Sequence, residues 1–214
     1  MNTTAITLAG GSTATPQNYE APLFSSAHAA LTFAYNHSGQ VYDRPAMARA
    51  AQRNTSSGKG LGGVAGAAQA GMILRAVQDL PRLHQAILRA RFGGRGAKCP
   101  HCNADADDSD WLAAVREISD AAVASAMSSH LTNRKLRDGI IARYFGKKVL
   151  LSAAARAAEV SDATASQHNG MIIGWLRGTR TTKEQGGDRS DGKKGQEQIA
   201  MEAITDLLAG KGLF

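Results

Sequence analysis

Three stretches of this chain hold residues whose types and spacing could do chemistry. The first is Cys99-Pro100-His101-Cys102. Two thiols at this spacing form half of the tetrahedral set that zinc favours. The other half is not evident, because no second Cys-x-x-Cys exists; His84, His101 and His130 are the nearby imidazoles, and Asp105, Asp107, Asp108 and Asp110 could supply oxygen. The same motif also serves dithiol oxidoreductases, which set it between a strand and a helix, an alternation this sequence lacks. A surface loop with two reduced thiols is the third reading. Zinc is thus a candidate cofactor, with Cys99 and Cys102 its candidate ligands. The second stretch, Gly58-Lys59-Gly60, invites comparison with a phosphate-binding loop. It lacks the preceding strand and the hydroxyl residue after the lysine that such a loop needs, and a flexible connector is the reading adopted. The third stretch, from Ser161 to Asn169, sets Asp162, Thr164, Ser166, Gln167 and Asn169 near the start of one helix. A recognition helix meets base edges with its N-terminal residues. Gln167 could bond adenine through both amide atoms, while Thr164 and Ser166 could reach bases or phosphates.

The elements that must position this third group are legible between Leu136 and Leu176. Leu136, Ile140, Ile141 and Tyr144 recur at three- and four-residue spacing, which predicts a helix closed by Gly146, with Lys147 and Lys148 against the negative end of its dipole. Ser152 is a candidate cap for an alanine-rich helix ending at Ala158, in which Ala155 must be small where two helices cross. Val160 fills the turn, and Ser161 caps the following helix, whose inward side is Ala165, Ile172, Ile173 and Leu176. The pattern is a helix-turn-helix. An ordinary helical hairpin in an all-α core is the plainer alternative.

Charge agrees with contact to an acidic partner. The formal net charge is +7 and the pI near 9.7, and the basic excess lies between Arg134 and Lys194, over the helix-turn-helix and its tail. Lys147, Lys148, Arg156, Arg177 and Arg180 are the candidate phosphate contacts on double-stranded DNA. No apolar run is long enough to span a membrane and no signal peptide is visible, so a cytoplasmic location is expected. No nucleophile–base pair or carboxylate constellation has a recognisable spacing, and the chain is not expected to be an enzyme.

The remaining chain reads as mostly helical. Residues 1–26 are small and polar, and flexibility is expected. Short helices are expected over 27–35 and from Asp43 to about Gln52. Two more fall between Val64 and Phe92, with Ala67, Gly71, Leu74 and Val77 as a packed face, and another runs from Ser109 to His130 with Trp111 as its core anchor. Arg82-Leu83…Ile87…Phe92-Gly93 recurs at identical spacing as Lys135-Leu136…Ile140…Phe145-Gly146. A basic, glycine-rich arm leads to an amphipathic helix from Gln198 to Leu208, stopped by Gly210.

The stretch from Leu136 to Leu176 resembles region four of bacterial sigma factors, which runs Ala-(x)3-Gly-Val-Ser into its recognition helix. Ala155, Val160 and Ser161 match, and Glu159 stands where glycine is usual. Together with YDRPAMARAA near Tyr42 and GLGGVAGAAQAGMI from Gly60, it makes the chain similar to phage late-gene antitermination proteins of the Q type, over roughly Tyr42 to Arg177. The resemblance implies a protein that binds beside a late promoter, engages bacterial RNA polymerase at a promoter-proximal pause and carries it through terminators. Some members hold zinc with four cysteines; with two cysteines here, that feature does not carry over. The alternatives are a helix-turn-helix repressor or activator without polymerase engagement, and a small terminase-like packaging protein. The expected architecture is all-α: a helical bundle with a helix-turn-helix in its C-terminal half. Its parts are a flexible N-terminus (1–26), a helical domain with the Cys-x-x-Cys loop (27–130), the helix-turn-helix (131–178), and a basic linker with a short helix (179–214).

Overall fold

A computed structural model describes residues 23–42, 63–99, 101–128, 133–179 and 192–213. Among these residues lie eight helices and one small hairpin. The expected flexible N-terminus lies almost wholly outside the described residues, as do the helix expected from Asp43, the Gly58-Lys59-Gly60 loop, Pro100, His130 and Arg180.

Helix α1 (Ala27–Tyr42) and helix α2 (Gly63–Gln78) pack together. The first helix buries Ala27, Ala30, Leu31 and Ala34. In α2 the buried side is Ala70, Ile73, Ala76 and Val77, whereas Ala67 and Gly71 are exposed and Leu74 is half-buried. The expected face was therefore turned by about one residue. Alanine and glycine on every side of this helix leave its apolar stripe ill-defined. Helix α3 (Arg82–Phe92) follows Pro81, and Gln85 Nε2 donates to the Leu80 carbonyl at 2.6 Å to close the bend.

A two-stranded antiparallel hairpin comes next, β1 (Gly96–Lys98) with β2 (Asp105–Asp107). An all-α expectation missed it: three-residue strands with both faces exposed carry no hydrophobic alternation to read. Asp108 then caps helix α4 (Ser109–Ala126), its Oδ1 accepting from Trp111 N at 2.8 Å. Trp111 is the expected core anchor. It is fully buried, and its indole N–H donates to the Ala90 carbonyl at 3.1 Å, joining α4 to α3.

Helices α5 (Arg134–Tyr144), α6 (Leu151–Ala157) and α7 (Asp162–Arg177) pack on one another, and α5 and α7 also pack on α4. The repeat seen in sequence yields two helices of 11 residues, α3 and α5, with different endings. Gly146 takes φ +93° while Gly93 takes φ −71°.

Helix α8 (Gln196–Gly210) docks on α1, α2, α3 and α7 and fully buries Ala200, Ile204 and Leu208. It is no loosely tethered helix. A bridge between Gly178 and Lys194 clamps the two ends of the expected basic linker together. A Cβ at Gly195 would lie 2.2 Å from Arg177 C and one at Gly178 would lie 2.5 Å from Gly195 N, so both positions require glycine. Gly210 lies within the helix; Gly212, at φ +65°, makes the left-handed ending. No helix among the described residues is long and apolar enough to cross a membrane.

Candidate nucleic-acid interface

The candidate interface rests on two helix endings and one helix beginning. At the end of α5, Gly146 N donates to Arg143 O and Lys147 N to Ala142 O, with Gly146 in the left-handed region. This Schellman geometry satisfies the last carbonyls and turns the chain sharply toward α6. The lysines follow the turn as expected. Lys148 is exposed, whereas Lys147 is half-buried and forms an ion pair with Asp107 of the hairpin. A close approach of α5 and α6 follows, where a Cβ on Gly139 would stand 3.1 Å from that of Ala154. Ala155 is buried, as the crossing requires.

The start of α6 corrects one expectation. Leu150 occupies the cap position without a side-chain hydrogen bond, and Ser152 is an exposed residue inside the helix. Asn133 works at the far end instead, its Nδ2 donating to Ala158 O at 3.1 Å while its Oδ1 caps α5. The turn out of α6 repeats the Schellman pattern: Glu159 N donates to Arg156 O and Val160 N to Ala155 O. Glu159 sits at φ +57°. The chain thus imposes on a glutamate the conformation that usually selects glycine.

Ser161 then caps α7, its Oγ accepting from Thr164 N at 3.1 Å. Inside, Ala165, Ile172 and Leu176 are fully buried, Ile173 is half-buried, and His168, unremarked in the sequence, is buried among them. Outside, Asp162, Ala163, Ser166, Gln167 and Gly170 are exposed. Ala163, Ser166, Gln167 and Gly170 share one face by helical spacing. Gly170 has open space where a Cβ would stand.

The predicted residues divide by geometry. Ser166 and Gln167 offer free side chains on the exposed face, with Asp162 one turn before. Thr164 is less available, since its hydroxyl lies 2.8 Å from that of Ser161 and serves the cap. Asn169 accepts from Arg143 Nη1 at 3.3 Å. That bond adds exposed Arg143, from α5, to the cationic residues beside α7. Its sequence position carried no signal, because only the packing of α5 on α7 brings the two together. Arg156 is exposed on α6. Arg177 lies at the other end of α7, roughly 22 Å along the axis from Asp162 by helical rise. There it lines a hollow with Arg91, Tyr144 and Glu197, so it does not share a surface with the N-terminal group.

The candidate metal pair occupies the hairpin tip. Cys99 N donates to Ala104 O and Asn103 N to Cys99 O, both at 2.9 Å, and Asn103 takes φ +56°. Cys99 is half-buried and Cys102 exposed. The neighbouring backbone N–H groups of Cys102 and His101 hold the Cys99 pKa below the ordinary thiol value. That environment suits a thiolate ligand. No group of three or more His, Cys, Asp or Glu side chains among the described residues could enclose a metal.

Compared with protein-family models, curated proteins and solved structures, the chain matches none of them.

Proposed function

We propose that this chain is a sequence-specific DNA-binding protein that acts by binding in transcription, with α6 crossing the phosphate backbone and α7 entering the major groove. The observation that carries this reading is the left-handed turn at Glu159 leading into a Ser161-capped helix with an exposed polar face. A tight turn between the short α6 and the longer α7 would aim the start of the second outward, where base edges are read. Ser166 and Gln167 would contact bases, and Asp162 would set the orientation of the helix start. Lys148 and Arg156 would contact phosphates, joined by Arg143.

On the resemblance to phage antitermination proteins, the DNA site lies beside a late promoter and the protein also engages bacterial RNA polymerase. Binding to the DNA neighbouring the chain's own coding region, against scrambled DNA across a salt series, tests the first part. A specific complex that survives physiological salt is expected. Gln167→Ala should cost about 1–3 kcal/mol at one base position and relax choice there. Lys148→Ala should weaken all sequences alike and reduce the salt slope by about 1. Equal loss of specific and random binding in Gln167→Ala would remove its base-reading role. Read-through by a paused polymerase tests the second part; its absence beside intact DNA binding would leave a simple repressor or activator.

A further inference from the structure

The hairpin that carries Cys99 and Cys102 buries nothing on either face of its strands. No helix packs substantially against either strand. A two-stranded ribbon of this length has little stability of its own in water. Its base is nevertheless fixed to the body. Asp108 N donates to Arg95 O at 2.9 Å, Arg95 Nη1 donates to Phe145 O at 3.2 Å, and Lys147 pairs with Asp107. The result is a short arm, anchored at one end, with two thiols at the other.

The turn at that tip brings Cys99 and Cys102 close in the chain. Asn103 in the left-handed region reverses the chain immediately after Cys102, and Asn103 N donates to Cys99 O at 2.9 Å, which closes the turn over the two cysteines. Two thiolates fill half of a tetrahedral zinc shell. The chain cannot supply two further thiolates, because its cysteines number 2. Among the described residues no third His, Cys, Asp or Glu stands with the pair.

We propose that a second copy of this chain completes the site: one zinc ion held by Cys99 and Cys102 of each of two hairpins, joining the chains tip to tip about a two-fold axis. Such a contact is self-complementary and closes at two copies. The exposed tip leaves room for a partner of the same shape. Residues 96–107 carry Lys98 against Asp105 and Asp107, so the arms meet at a locally near-neutral point despite the chain's net positive charge. Four deprotonated thiols would be balanced in part by the divalent ion, with protons released on binding. Because the arm is braced on Phe145 and Lys147, just ahead of α6, the metal would also fix the spacing of two helix-turn-helix units. The site itself does not depend on the DNA reading.

The test uses the full chain, stripped of metal by a chelator and kept in a phosphine reductant, without DNA. Zinc is titrated while light scattering and native mass spectrometry read the mass. The expected result is a doubling of mass at one zinc per two chains, reversed by chelator. Cobalt in place of zinc should give thiolate charge-transfer absorption that saturates at the same ratio. Cys99→Ser and Cys102→Ser should stay monomeric with unchanged helical circular dichroism. One zinc per monomer, no binding, or a dimer indifferent to chelator would each overturn the proposal. So would a dimer that forms only on oxidation. If a variant fails to fold, the titration of the natural chain still decides.

Discussion

Glu159 holds a backbone conformation that glycine would adopt without steric cost. At φ +57° its Cβ crowds the following carbonyl, yet two hydrogen bonds from the Schellman turn keep it there. Glu159→Gly should therefore stabilise the protein by about 0.5–1 kcal/mol, the relief of strain being partly offset by a freer unfolded chain. Denaturant unfolding measures it, and a loss of stability would mean that the glutamate side chain contributes more than the strain removes. Gly170 poses the opposite case. Nothing lies within 4 Å of where its Cβ would stand, so Gly170→Ala should stabilise α7 by about 0.5–1 kcal/mol. The same methyl would project from the proposed reading face and should weaken DNA binding. Unfolding and binding measured on one preparation separate the two effects; unchanged affinity would place Gly170 outside the contact. At this scale the sequence was informative at several local positions, though not at Ser152, which lies inside α6 while Leu150 takes the cap. The Ser161 cap and the special turn at residue 159 follow from neighbours in the chain. The pairing of Asn169 with Arg143 depends on how two helices pack, and no local pattern encodes it.

Elements were legible where one face differs chemically from the other. The face of α7 could be read because isoleucine and leucine alternate with polar residues at helical spacing, whereas α2 is small and apolar all round and its buried side could not be chosen. The hairpin escaped for a related reason: exposed strands bury nothing. The docking of α8 depends on a glycine pair 17 positions apart, Gly178 and Gly195, whose closeness appears only when α7 and α8 are assembled. Side chains reinforce that docking. Glu197 of α8 accepts from Tyr144 Oη at 2.6 Å and pairs with Arg91 Nε at 2.8 Å, tying α8 to α5 and α3. Burial, then the bond to Glu197, raises the Tyr144 pKa. The folded phenol is therefore held neutral where an unfolded one ionises. Its contribution to stability is complete below about pH 10, the ordinary tyrosine value, and is lost as pH rises toward the folded pKa. Tyr144→Phe should lose about 1.5–3 kcal/mol at neutral pH, the scale of a hydrogen bond to a charged group. It should also show a shallower fall in stability above about pH 10 than the natural chain. Part of the fall should remain, because burial also raises Tyr35, to about 12. Unfolding free energies across an alkaline pH series check both points, and parallel pH curves would show that Tyr144 makes no such contribution.

Among the described residues, one hydrophobic cluster runs without a break from Phe24, just before α1, and Leu31 of α1, through Trp111, to Ile172, Leu176 and Ile204. Helix α8 adds a second link at the C-terminal end beside the packing of α7 on α4, since it touches α1, α2 and α3 as well as α7. Helix α7 is consequently braced by helices from both sides of it in the chain. Ile204 is fully buried, and Ile204→Ala removes methyl and methylene groups from a packed interior that relaxes only in part. The cost should be about 2–5 kcal/mol, a large share of a typical total of roughly 5–15 kcal/mol. The more telling observation is how that loss is distributed. If the core is one cooperative unit, amides of α3 and of α7 share a single global opening, and hydrogen exchange in the Ile204→Ala chain should speed up by the same factor in both. Denaturant unfolding should likewise remain a single transition shifted to lower midpoint. Faster exchange confined to α7 and α8, with α3 unchanged, would instead make those two helices a separately unfolding unit.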